Sequence, residues 1–137
     1  MHGQDARATE SAEVKLLTQC LAVGAAGFFG AIARLLIGLF CRYEFPHFPV
    51  GTLIVNLTGS FALGWFMGFV SNRAGFPETI RLAITVGFIG TYTTFSTFMY
   101  ESDALIRDPQ WIKAAMNIVG SVVLGLIAVR LGAALAR

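Results

Sequence analysis

The chain has 137 residues, enough for one domain. Hydrophobic residues make up 55% of it and charged residues only 13%, against roughly 25% charged in soluble domains. A soluble fold this small cannot hide so much apolar surface, and a net charge of +2 without a Lys/Arg run excludes a nucleic-acid partner.

Charges divide the chain into four apolar segments. Uncharged runs cover 16–33, 45–72, 82–100 and 114–129. A bilayer core needs about 20 apolar residues, and Lys113 and Arg130 can snorkel to the interfaces to complete the last run. The expected spans are therefore 16–40, 50–71, 79–100 and 111–132. Ahead of them, the polar tail 1–13 is expected to be disordered and to carry no function. Its polarity, with a first apolar segment too long for a leader, argues against a signal peptide. The remainder, 14–137, reads as one transmembrane domain.

In the first span Gly24, Gly27 and Gly30 form a small-residue stripe ending near Arg34. Cys20 and Cys41 stand near its opposite ends, about 31 Å apart at roughly 1.5 Å per residue, and cannot pair within the chain. A proline turn, Phe45-Pro46-His47-Phe48-Pro49, leads to the second span. His2 and His47 lack the spacing of a zinc site. Thr52, Asn56 and Ser60 share one face of the second span at i,i+4 spacing, and Ser60, Gly64 and Gly68 continue it as a close-packing stripe. Asn56 lies deep in its apolar run. An unpaired carboxamide there is costly, so it must meet a partner helix or a permeating species. Pro77 is placed to open the third span and Asp108-Pro109 the fourth, in which Asn117, Ser121 and Gly125 repeat the polar and small-residue pattern.

The third span is the unusual one. Between Thr91 and Thr97, six of seven residues carry a hydroxyl, and Gly87 and Gly90 loosen the helix just before them. One or two such hydroxyls are ordinary interhelical glue. This density predicts a helix broken near Gly87–Thr94 that lines a site, because irregular backbone at membrane depth survives only inside protein or beside a wet cavity. Phe95 and Phe98 project to one helical face at i,i+3. Embedded among hydroxyls, their ring edges can offer weakly electropositive hydrogens to an anion. No acidic residue falls within the expected spans, which argues against a carboxylate proton relay. No catalytic constellation or phosphate loop is present, so no enzyme is expected.

Four spans put both termini on one side. That side carries Arg7, Lys15, Arg73, Arg81, Arg130 and Arg137, and the other Arg42, Arg107 and Lys113, with Arg34 near its interface. So even a distribution barely selects an orientation, which permits insertion in both.

Gly51-Thr52-Leu53-Ile54-Val55-Asn56, Thr93-Thr94-Phe95-Ser96-Thr97-Phe98 and Gly30-Ala31-Ile32-Ala33-Arg34 together closely resemble motifs of the Fluc/CrcB fluoride channels, over roughly 20–132. Thr91-Tyr92 departs from the Gly-Leu pair of that pattern. The resemblance implies an all-α, four-helix, multi-pass protein of the bacterial inner membrane. It further implies an antiparallel, dual-topology homodimer with two anion pathways, passively exporting cytoplasmic fluoride. By motif position Phe95 and Phe98 would line the pore, Asn56 would order it, and Thr94, Ser96 and Thr97 would supply neighbouring hydroxyls. Thr52, Asn117 and Ser121 would be further polar pathway residues. Arg34 would act structurally and electrostatically. The backbone carbonyls of Gly90 and Thr93 from both subunits would hold a structural sodium ion. Two rivals stand beside this reading: a small multidrug exporter, which needs a membrane-embedded acid that the first span lacks, and a noncatalytic assembly subunit whose polar stripes only pack helices.

Overall fold

The structure, a computed structural model, describes the backbone of residues 2–45 and 48–136, and side chains from Glu10 onward within them. Pro46 and His47 of the expected proline turn lie outside the described residues. The described elements are all helical. They are α1 (His2–Glu44), α2 (Val50–Ser71), α3 (Glu78–Leu82), a π segment (Ala83–Ile89), α4 (Gly90–Tyr92), α5 (Phe95–Arg107) and α6 (Trp111–Leu135).

Four stretches are long and apolar enough to cross a membrane: Glu10–Glu44, Val50–Ser71, Glu78–Arg107 and Trp111–Leu135. The second coincides with the expected span. The first, third and fourth run further than expected, the fourth to Leu135. α1 is helical from His2, and Ala, Glu and Gln in its first turns favour helix. At roughly 1.5 Å per residue its 43 residues reach about 64 Å, twice a bilayer core of about 30 Å, so one end stands clear of the hydrocarbon.

The third span carries two irregularities in series. The π segment Ala83–Ile89 comes first, and Thr93 and Thr94 then leave the helix altogether, with φ, ψ of −79°, 159° and −150°, 119°. The extended pair turns the chain by one non-helical step before α5 restarts. The break therefore lies at the end of the range the sequence indicates.

Small residues set the helix spacing. α2 runs along α6, where a Cβ on Gly64 would overlap the Val129 carbonyl and one on Gly132 the Phe61 carbonyl. Such reciprocal close approach drives association in lipid, where no hydrophobic gradient separates helix from solvent. α1 packs against the π segment in the same way, with Gly87 facing the backbone at Val23 and Gly30 facing Phe88. Between α2 and α3, Gly75 takes a φ of 82°, a turn that a side chain would strain.

Candidate functional site

The break in the third span is held open by a side chain from the second. Asn56 Nδ2 donates to the Thr94 carbonyl at 3.0 Å, and the Thr94 amide donates to Asn56 Oδ1 at 2.8 Å. The carboxamide thus replaces both backbone partners that Thr94 loses by leaving the helix, which is why an asparagine is tolerated at this depth. Thr94 also caps α5. Its Oγ1 accepts from the Thr97 amide at 3.3 Å and donates to Thr97 Oγ1 at 3.0 Å, with Ser96 Oγ at 3.5 Å.

These exchanges leave carbonyls without helical partners. In a regular helix the Gly90 carbonyl would accept from the Thr94 amide, which goes to Asn56 instead, while the Thr93 amide bonds Ile89 O at 3.0 Å. Likewise the Thr93 carbonyl loses the Thr97 amide to the Thr94 hydroxyl. Arg34 Nη1 points at that Thr93 oxygen from 3.4 Å. Neutral carbonyl oxygens of this kind suit a hard monovalent cation, and a broken membrane helix is where such oxygens become available. Gly90 is exposed on the surface of the chain and Thr93 is half-buried.

Phe95 and Phe98 lie side by side with ring centroids 6.1 Å apart and planes tilted by 59°, but their surroundings differ sharply. Phe98 is 5% exposed, Phe95 74%. Phe95, Ser96 and Thr97 are exposed, and Phe95 lines the same surface as Gly90. A second, smaller hollow of about 260 Å³ runs along this surface, between Asn56 and Ser60 on one side and Gly90, Thr93 and Phe95 on the other.

On the other side of the clamp lies a cavity of about 750 Å³. Its wall includes Arg34, Arg42, Thr52, Thr94, Thr97, Glu101 and Lys113. Thr52 is thereby brought next to the break. Asn117 is not. At 1% exposure it is enclosed between α5 and α6, where its Nδ2 donates to Ser102 Oγ at 2.9 Å, and Ser102 donates to the Phe98 carbonyl at 2.7 Å. Asn117 therefore reaches Phe98 through Ser102. The Ser121 hydroxyl, one turn further along α6, is buried with no hydrogen-bond partner among the described residues.

α5 continues past residue 100 to Arg107, and Glu101, on the wall of the larger cavity, has one carboxylate oxygen buried with no hydrogen-bond partner among the described residues. A charge cannot end a helix by itself, and the expected boundary at residue 100 rests on that charge alone. The signal is present in the spacing, because Thr94, Thr97 and Glu101 follow at i, i+3 and i+7 on one face. Ser102, Arg42 and Lys113 escape sequence reasoning for similar reasons, each being unremarkable until the fold brings it beside the others. Among the described residues no group of His, Cys, Asp and Glu could hold a metal ion.

The family model described as "CrcB-like protein, Camphor Resistance (CrcB)" matches residues 21–133. The chain is 41% identical over 112 residues to a protein named "Fluoride-specific ion channel FluC" of Hydrogenobaculum sp. (strain Y04AAS1), covering 82% of this chain and 92% of that one. A protein of the same name from Nitratidesulfovibrio vulgaris (strain DP4) is 41% identical over 116 residues, 84% of this chain and 94% of its own. "Fluoride-specific ion channel FluC 1" of Methanosarcina acetivorans is 40% identical over 112 residues, 82% and 86% of the two chains. With four membrane-crossing helices, a third helix bent at its Thr-rich segment and a family match over most of its length, this chain is a multi-pass membrane protein of the CrcB family.

Proposed function

We propose that the chain is a passive, fluoride-selective channel, not an enzyme, and that it lets fluoride leave the cytoplasm down its electrochemical gradient. The observation that carries this reading is the Asn56–Thr94 clamp, which keeps a non-helical step with hydroxyls and ring edges at membrane depth. Relatives about 41% identical over most of both chains carry the name of a fluoride-specific channel. Fluoride is small and strongly hydrated, so a passage for it must replace water with close neutral donors. Hydroxyls of Thr52, Thr94, Ser96, Thr97 and Ser121, together with the edges of Phe95 and Phe98, are donors of that kind and carry no fixed positive charge that would trap the ion.

One chain does not enclose such a passage. Phe95, Ser96 and Thr97 stand exposed, and a second copy in the opposite orientation would supply their missing wall. The freed carbonyls of Gly90 and Thr93 from both copies would then hold a sodium ion, to which each chain offers two oxygens. When bound, that ion would tie the two chains together and make the centre electropositive. Arg34, beside the Thr93 oxygen, adds to the same positive potential.

Glu101 makes proton coupling the natural competitor, since intramembrane carboxylates serve as proton relays. Purified protein in fluoride-loaded liposomes separates the two. The expected result is fluoride efflux, with chloride excluded, that persists when the proton gradient is collapsed and the fluoride gradient kept. Efflux that stops on collapse means a coupled transporter, and absence of efflux leaves an assembly subunit.

A further inference from the structure

Two of the three residues of α4, Thr91 and Tyr92, are tied to two different helices by their own hydroxyls. Thr91 Oγ1 donates among three carbonyls: Gly87 O at 2.7 Å, Gly27 O at 3.0 Å and Phe88 O at 3.2 Å. Two of these are local, but Gly27 belongs to α1, 64 positions away. On the opposite side, Tyr92 Oη lies 2.8 Å from Thr58 Oγ1 on α2. The Thr58 hydroxyl also reaches Ile54 O at 2.7 Å, and with its proton given there Tyr92 donates to it. The Tyr92 ring is stacked on Phe88, centroids 6.0 Å apart and planes 9° from parallel. Gly59 makes room for it, since a Cβ there would sit 3.3 Å from the ring and overlap the Thr93 methyl.

We infer that Thr91 and Tyr92 are positioning residues that fix where the Gly90 and Thr93 carbonyls point. α4 is a short island between a π segment and a full break, so its own ladder holds neither end in place. Rotation of the island about its axis would swing both carbonyls together. The Thr91 arm pins one flank to α1 and the Tyr92 arm pins the other to α2, which blocks that rotation. Gly90 immediately precedes this pair and Thr93 immediately follows it, so the pair sets the separation of the two oxygens. The consequence is an affinity for the cation that depends on two side-chain hydroxyls which never touch it. This rests on the sodium reading above.

The test is a sodium titration of thermal stability on purified protein in detergent, with N-methylglucamine as the replacing cation. Thr91→Val removes one arm at nearly constant shape and Thr91→Ser keeps it. Tyr92→Phe removes the other arm and keeps the ring stack, so it tests the idea even if the valine variant assembles poorly. Each hydroxyl-deleting change is expected to raise the sodium concentration at half-stabilisation by roughly five- to tenfold, the effect of one net hydrogen bond, with the serine variant close to the parent. An unchanged midpoint, with stability lowered equally in both cations, would mean that the hydroxyls only glue helices, and the inference is overturned. A parent protein that sodium does not stabilise removes the cation site itself, and the inference with it. That outcome is distinguished because the parent fails before any variant is made.

Discussion

Asn56 meets the break with both ends of its carboxamide, so its removal costs twice. In Asn56→Leu the side-chain volume is kept, but the Thr94 amide and carbonyl are left without partners. A buried polar group stripped of its hydrogen bond costs about 1–3 kcal/mol. Because the site is only part-buried, water can soften this, and a loss of about 2 kcal/mol is expected, with fluoride flux abolished. Thermal melting in detergent and liposome efflux measure the two effects separately. A flux as fast as the parent's would remove Asn56 from the pathway. The two phenylalanines are expected to differ in the same pair of measurements. Replacing Phe95 with Ile should impair flux with little change in chain stability, because the ring is 74% exposed. Replacing Phe98, at 5% exposure, should impair flux and also lower stability by about 1 kcal/mol or more, since a shape change in a packed site costs that much. Both variants conducting normally would make the rings packing alone.

At the scale of elements, the glycine faces carry the fold. Gly64 and Gly132 let α2 and α6 approach until backbone meets backbone, so Gly64→Leu is expected to destroy the monodisperse peak in size-exclusion chromatography. Gly24 and Gly120, where a Cβ would meet nothing within 4 Å, should accept alanine without effect. The four spans are legible in the sequence because apolar run length follows directly from bilayer thickness, and the second is legible to the residue. The break is legible from hydroxyl density and glycine, although the exact step at Thr93-Thr94 depends on Asn56, 38 positions away, and no local pattern announces that pairing. What sequence reasoning misses are residues whose role is created by a neighbour. Ser102 matters because Asn117 reaches it across the α5–α6 contact, and Glu101 because α5 does not stop at a charge. The direction of error is consistent, in that charges read as the ends of elements are only their wet faces.

For the whole molecule, the proposed channel turns on how two copies would meet, and the charge distribution permits opposite orientations. Without Arg7, the two sides carry five and four Lys/Arg residues, a bias too small to choose a topology. Gly90 and Thr93 lie near the middle of the third span, so copies related by a two-fold axis in the membrane plane would place their carbonyls at one depth. A decisive measurement is accessibility labelling in a background of Cys20→Ser and Cys41→Ala, with a single new cysteine at one of two exposed positions. Ser11→Cys reports the terminal side, and Tyr43→Cys, at a residue 86% exposed beside the first loop, reports the opposite side. Each is expected to label about half from one face of the membrane and the rest only after the other face is opened, since equal insertion follows from an even charge balance. A single added positive cluster on one side should then push the population to one orientation and reduce flux, with recovery on co-expression of its mirror-charged variant. If Ser11→Cys labels completely from one face in the unmodified charge background, the copies are parallel, and the shared carbonyl site across an antiparallel pair is lost with them.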